Sequence, residues 1–316
     1  MQRAQKSGGT RQVLLIAGPT ASGKSALAAE IAARLGDAVI VNADSMQVYK
    51  DLRIITARPS HQEESRLTHF CSGTIDGSSG LSAAVWRDKA ADVLEQTGDK
   101  PVIFVGGTGL YFRALTEGLA PIPDIPDAIR TNVRERLAQD GPVVLHGELD
   151  AAMAKQLSPT DSQRVARALE VLLATGRSLA EWQKLPPEGA VVDLQQTRHV
   201  VLAPPRDWLE ERIRGRAETM LCDEALEEVR SLRARDLSPE LPVMRAIGVS
   251  VISAYLDGDM TREAALDALT IETRRYAKRQ ETWFRGQMGD WPRLDPSTMS
   301  VEAMADWMVN EENACA

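Results

Sequence analysis

VLLIAGPTASGKSALAAEIAARL, Val13 to Leu35, joins an apolar, β-rich run to a run of helix formers through a turn of mostly small residues. The turn carries the spacing Gly18-x-x-x-x-Gly23-Lys24-Ser25. A strand that ends in such a loop and passes directly into a helix brings successive backbone N–H groups together, and the helix adds the positive end of its dipole. Lys24 contributes a point charge, and Ser25 a hydroxyl able to ligate Mg2+. The stretch therefore predicts a phosphate cradle formed by Gly18, Pro19, Thr20, Ala21, Ser22, Gly23, Lys24 and Ser25. Which phosphate it holds is not written in the motif.

Working outward, further apolar runs occur at AVIVN (38–42), PVIFV (101–105) and HVVLA (199–203), with helical patterns between most of them. Strands buried on both faces read as continuous apolar runs, so the class is α/β with a parallel sheet. The gap between the third and fourth runs is too long for one crossover. It opens with APIPDIPD (120–127), which cannot continue a helix, and then shows helical patterns near 127–139, 148–157 and 161–175. The last of these begins at a capping Asp161 and ends at Gly176. These features predict a P-loop NTPase-like parallel sheet flanked by helices, with an inserted all-helical subdomain over 120–195 and a helical C-terminal part. The core then comprises 12–119 and 196–316, and 1–11 is expected to be a disordered lead-in.

At 316 residues, 43% of them hydrophobic, the chain is long enough to bury a full core. No apolar run approaches the roughly 20 residues that span a bilayer, and the first residues lack the apolar segment of a secretory signal. Three cysteines without CxxC spacing and four scattered histidines predict a reduced, cytoplasmic protein without a zinc site. The net charge of −8 excludes a surface that binds nucleic acid everywhere but leaves room for a local basic patch.

Two more strand ends carry candidate chemistry. NADSMQVY (42–49) follows the second run, and ligands of open parallel sheets lie beyond the carboxyl ends of the strands. Asp44 is there a base, a Mg2+ partner or a cap of the next turn. GGTGLYF (106–112) follows the third run; its glycines admit close backbone approach, and Thr108 offers either a ligand hydroxyl or a helix cap. Kinases and ATPases usually place an acid at the end of an apolar strand as a second motif, and PVIFV ends instead in GGTG. Late in the chain, TRRYAKRQETWFRG (273–286) holds five Lys or Arg against one Glu. Arg274 with Lys278, and Arg275 with Arg279, form two adjacent rows of positive charge on a helix. The rows are a solvated face or a contact for an anion such as nucleic acid. Trp283 and Phe284 read as core.

Taken together and in order, GPTASGKS, NADSMQVY, RIITARP, VGGTGLYFRAL, DSQRVARALEVLLATGRSL, MRAIG and TRRYAKRQETWFR resemble the bacterial tRNA dimethylallyltransferases, also called tRNA isopentenyltransferases. The resemblance runs from Val13 to about Arg285. It implies a Mg2+-dependent transfer of the dimethylallyl group of dimethylallyl diphosphate to the exocyclic amine of the adenosine just 3′ of the anticodon. Gly18 to Ser25 would hold the prenyl diphosphate, with Mg2+ on Ser25 and Arg216 near the diphosphate; Lys24, Asp44, Thr108 and Arg216 would form the catalytic set. Contacts to the tRNA anticodon stem-loop would come from Asp44, Ser45, Met46, Gln47, Thr108, Arg130, Asp161, Ser162, Gln163, Arg164, Val165, Arg245, Arg274, Arg275, Lys278 and Arg279. A monomer is expected. The chain departs from the family pattern at Ile55, Arg58, Phe70, Val249 and Ser250, and no C-terminal zinc finger follows Arg285. The rival expectations are a small-molecule P-loop kinase and a transferase that prenylates free adenylate.

Overall fold

The computed structural model describes residues 11–310. The expected lead-in lies outside them except for Arg11, as does Cys315. From the N-terminal side, β1 (Val13–Ala17) leads through the Gly-rich turn into α1 (Lys24–Leu35). Then come β2 (Val39–Asn42), α2 (His61–Arg66), β3 (Thr68–Phe70), α3 (Ala83–Thr97), β4 (Val102–Gly106) and α4 (Gly109–Thr116). Four helices follow: α5 (Asp127–His146), α6 (Ala151–Gln156), α7 (Ser162–Thr175) and α8 (Leu179–Trp182). The chain continues with β5 (Arg198–Leu202), α9 (Arg206–Thr219), α10 (Asp223–Arg233), α11 (Val249–Leu256), α12 (Arg262–Gln287), β6 (Arg293–Leu294) and α13 (Val301–Val309).

The strands form one six-stranded sheet in the order β3-β2-β4-β1-β5-β6, and every pair in it is parallel. The four apolar runs became β1, β2, β4 and β5. The outermost strands, β3 and β6, were not foreseen: three and two residues long, they are too short to show a pattern. Side chains alternate across β1, so Leu15 and Ala17 enter the core on one face with Trp86, Phe104 and Phe284. Leu14 and Ile16 enter the opposite core with Leu27, Ile31, Met304 and Met308. Register then fixes what emerges at the carboxyl edge: Ala17 pairs with Gly106, and Asn42 with Val105. The turns after β1, β2 and β4 leave the sheet side by side.

Glu117–Ala190 forms a compact unit of its own. Its helices enclose a separate core that includes Val133, Leu145, Met153, Val165 and Leu169. Asp161 caps α7 by accepting from Arg164 N at 3.2 Å, and Gly176 ends it with a left-handed φ of 65°. The helical pattern expected to stop near residue 139 continues to His146 across a kink at Gly141, which precedes Pro142. Val191 and Val192 both donate to Leu115 O and belong to the sheet-bearing unit.

Candidate functional site

A cleft of about 430 Å3 opens at the carboxyl edge of the sheet. It is lined by Thr20 to Ser25 on one side and by Asn42, Asp44, Gln47, His69, Gly106, Arg212 and Arg216 around the rest. The turn after β1 makes the cradle because its backbone takes conformations that side chains resist. Gly18 and Gly23 have φ of 154° and 90°, and a Cβ on Gly18 would lie 3.0 Å from Leu202 O. Gly23 caps α1 without a side-chain hydrogen bond, so no side chain competes for the first N–H groups of the helix. Ser22 Oγ and Arg216 Nε are buried and without a hydrogen-bond partner among the described residues. Buried donors in that condition fit a ligand rich in acceptor oxygens.

Lys24 Nζ donates to Pro19 O at 2.6 Å. Burial pulls its pKa down to about 8; the Asp44 charge opposes that shift and Arg216 adds to it. Arg216 reaches in from α9, donating through Nη1 to Thr20 Oγ1 and through Nη2 to Ile55 O at 3.3 Å. Burial lowers its pKa too, with Asp44 acting against the shift. Three cations, Lys24, Arg212 and Arg216, and one carboxylate, Asp44, therefore share the cleft, and the half-buried charges count for more there than they would in solvent.

Asp44 is half-buried after β2. Its Oδ1 accepts from Met46 N at 2.9 Å, the turn-capping geometry, while the residue still lines the cleft. Capping the turn thus leaves Asp44 on the cleft. Thr108 ties this turn to the next: its Oγ1 accepts from Ser45 N at 2.9 Å and donates to Ser45 Oγ at 3.2 Å. Gln47 braces the following loop, donating to Thr56 O and Ala57 O at 3.0 and 3.1 Å.

Other contributors were not singled out in the sequence. Gln280 of α12 is buried; it accepts from Thr20 N at 2.8 Å and donates to Gly107 O at 2.9 Å, joining the first and third turns. A Cβ on Gly107 would lie 2.1 Å from Gln280 Nε2 and push that side-chain end out of place. Burial and the Asp44 charge push the Tyr276 phenol pKa well up. His69 lines the cleft from β3 with Nε2 buried and unpartnered among the described residues, and burial lowers its pKa. A signal for Gln280 did exist. Leu269, Thr273, Ala277, Gln280 and Phe284 make one buried stripe on an otherwise charged helix, so a glutamine on that stripe needs a partner.

Arg274, Arg275, Lys278 and Arg279 all point outward from α12. Arg274 lies 3.6 Å from Glu210, and Arg279 stacks 5.7 Å from the Tyr276 ring. Phe284 is core as expected, and Trp283 packs where a Gly109 Cβ would come within 2.0 Å of its ring. Arg245 is exposed and paired with Glu240. In the helical unit, Arg130 is half-buried near Asp127, and Ser162, Gln163 and Arg164 lie in the first turn of α7. Val165 is a correction: its side chain is fully buried in that unit's core and cannot face a partner. Arg58 is turned inward, donating to Tyr49 O and Lys50 O at 3.0 and 3.1 Å. Ile55 buries its side chain in the main core while its carbonyl receives Arg216.

A parallel sheet with a glycine-rich loop leading from β1 into α1 and a carboxylate after β2, both on one cleft, defines a P-loop α/β protein with an NTPase-like fold. The IPP transferase family model matches residues 47–287, and the chain belongs to that family. It is 52% identical over 292 residues to a tRNA dimethylallyltransferase of Rhizobium leguminosarum bv. trifolii, covering 90% of this chain and 97% of that one. It is 49% identical over 298 residues to the protein of that name from a Bradyrhizobium species, covering 91% and 95%. Among solved structures, a tRNA isopentenylpyrophosphate transferase from Staphylococcus epidermidis superposes with a TM-score of 0.67 at 27% identity, covering 97% of this chain and all of that one. A eukaryotic dimethylallyltransferase solved acting on tRNA superposes with a TM-score of 0.71 at 26% identity, covering 96% and 77%.

Proposed function

We propose that this chain transfers the dimethylallyl group from dimethylallyl diphosphate to the exocyclic N6 amine of the adenosine immediately 3′ of a tRNA anticodon, releasing diphosphate. The observation that carries the reading is the meeting of Asp44 and the glycine-rich loop in one cleft, with β4 ending in Gly106, followed by Gly107, where a nucleotide hydrolase would place an acid. The identity to the rhizobial tRNA dimethylallyltransferase over nearly its whole length supports it.

In this reading the cradle holds the diphosphate through the α1 N–H groups, Lys24 and Arg216. As the bond from the dimethylallyl carbon to oxygen breaks, charge grows on the leaving diphosphate and meets donors already in place. The adenine amine becomes acidic as the new C–N bond forms, and Asp44 takes its proton. A stacked base cannot reach a donor held in the cleft, so the target adenosine is flipped out of the anticodon loop. Thr108 holds the turn that carries Asp44. Hard oxygen donors suit Mg2+: the Ser25 hydroxyl would hold it together with diphosphate oxygens and water. When bound, Mg2+ supplies charge neutralisation to the diphosphate. Arg274, Arg275, Lys278 and Arg279 give the acidic protein its local basic surface for the tRNA backbone, and the Glu117–Ala190 unit provides a second tRNA-binding surface.

Transfer of labelled dimethylallyl from its diphosphate, with Mg2+, to unmodified tRNA tests this directly, run beside AMP as acceptor. Label is expected on tRNA alone, and Asp44→Ala is expected to lower the rate by roughly 10²- to 10⁴-fold. Label on AMP alone, or phosphorylation of a small acceptor by ATP in its place, would overturn the assignment.

A further inference from the structure

The segment Leu52 to Ala57 reaches the cleft at Ala57, and it is held both from the cleft side and from outside it. Glu228, on α10, accepts from Ile54 N at 2.8 and 3.0 Å through its two oxygens, and from Ile55 N at 3.2 Å. Arg235, just beyond the same helix, pairs with Asp51 and with Asp76 at 2.6 Å, and Asp51 also accepts from Gly77 N at 2.9 Å. From the cleft side, Gln47 takes the carbonyls of Thr56 and Ala57. Leu52 and Ile55 anchor the turn in the core.

Within this turn, Ile55 faces two ways. Its N–H is fixed by the Glu228 carboxylate, and its carbonyl receives Arg216, which in turn donates to Thr20 in the cradle. Glu228 flanks the buried face of α10 formed by Ala225, Val229 and Leu232, where a carboxylate is costly unless its oxygens are bonded. A hydrogen bond from backbone N–H to a carboxylate is charge-assisted and short-ranged, so it fixes position as well as adding energy. The guanidinium of Arg216 is planar, and its orientation follows the acceptor it binds.

We propose that Glu228 is a positioning residue for the diphosphate. Through the Ile55 backbone it sets the orientation of Arg216, although Glu228 itself lines no part of the cleft. The inference rests on reading the cleft as a diphosphate site.

Calorimetric binding of inorganic pyrophosphate with Mg2+ to the full-length protein tests it, with a double-mutant cycle over Glu228→Gln and Arg216→Ala. Glu228→Gln keeps the shape and removes the charge; it is expected to weaken pyrophosphate binding about tenfold, a coupling typical of groups in one hydrogen-bonded network. In the Arg216→Ala background the same change is expected to shift affinity by less than about twofold. A purely structural role would lower the melting temperature and give factors that multiply in the double variant. Multiplicative factors, or an unchanged affinity in Glu228→Gln, overturn the inference. Lys24→Ala separates the two failures. If it weakens pyrophosphate while Glu228→Gln does not, the inference falls and the cleft reading stands; if it has no effect, both fall.

Discussion

Lys24 holds its proton in a cleft that would rather have it neutral, and that conflict is measurable. Its folded pKa, about 8, lies below the ordinary lysine value because burial penalises the ammonium. The ammonium therefore costs stability below pH 8, and the cost fades as pH rises toward 10.5. For a diphosphate the sign is opposite: the charged form attracts it, so affinity is expected to fall as pH rises through about 8. Pyrophosphate titrations from neutral pH upward should approach a tenfold loss per pH unit above that point, as one proton becomes coupled to binding. Lys24→Arg should flatten the profile, since a guanidinium stays charged. Much of the residue-scale site was legible. The glycines, Lys24 and Asp44 sit at fixed offsets from strand ends, and such offsets are local. His69 was not legible, because it reaches the cleft through the tertiary packing of an edge strand that no local spacing records.

At the scale of elements, α12 does two jobs with two faces. Its outward face carries the basic rows, which composition announced. Its inward face carries Gln280, whose two bonds span the first and third turns of the sheet edge. Gly107→Ala is expected to lower stability by about 1–3 kcal/mol, the usual cost of overpacking, because the added carbon meets Gln280 Nε2 at 2.1 Å. Gln280→Leu is expected to cost a similar amount by leaving Thr20 N and Gly107 O unpaired, and to weaken pyrophosphate binding by loosening the cradle. Thermal melts and the same titrations check both. The four long apolar strands were readable because burial on both faces leaves no polar interruption. β3 and β6 were hidden because edge strands need little apolar sequence. The kink in α5 was half visible: Pro142 marks a break, yet the helix resumes beyond it.

Across the whole molecule, charge is unevenly spread. A net charge of −8 coexists with an outward row of arginine and lysine on one helix, so association with a polyanion must be local. The logarithm of tRNA affinity is expected to fall linearly with the logarithm of salt concentration. Replacing Arg275 and Lys278 together by alanine should reduce that slope by roughly 0.7–0.9 for each phosphate no longer neutralised, with little effect on pyrophosphate binding. An unchanged slope would move the tRNA-binding surface off this face. The fold class, the inserted helical stretch and the cradle were all open to a reading of pattern and spacing. The closure of the site was not, since it depends on partners hundreds of positions apart. That closure has a consequence in time. The cradle is synthesised well before its partner: Thr20 finds the Gln280 that holds it 260 residues later. The strand beneath it lies between β4 and β5, the latter arriving only after the helical unit. A nascent chain thus carries the complete phosphate motif long before it has a working pocket. One edge of β1 therefore stays unpaired until β5 emerges, an open strand edge of the kind that invites misassembly in a nascent chain.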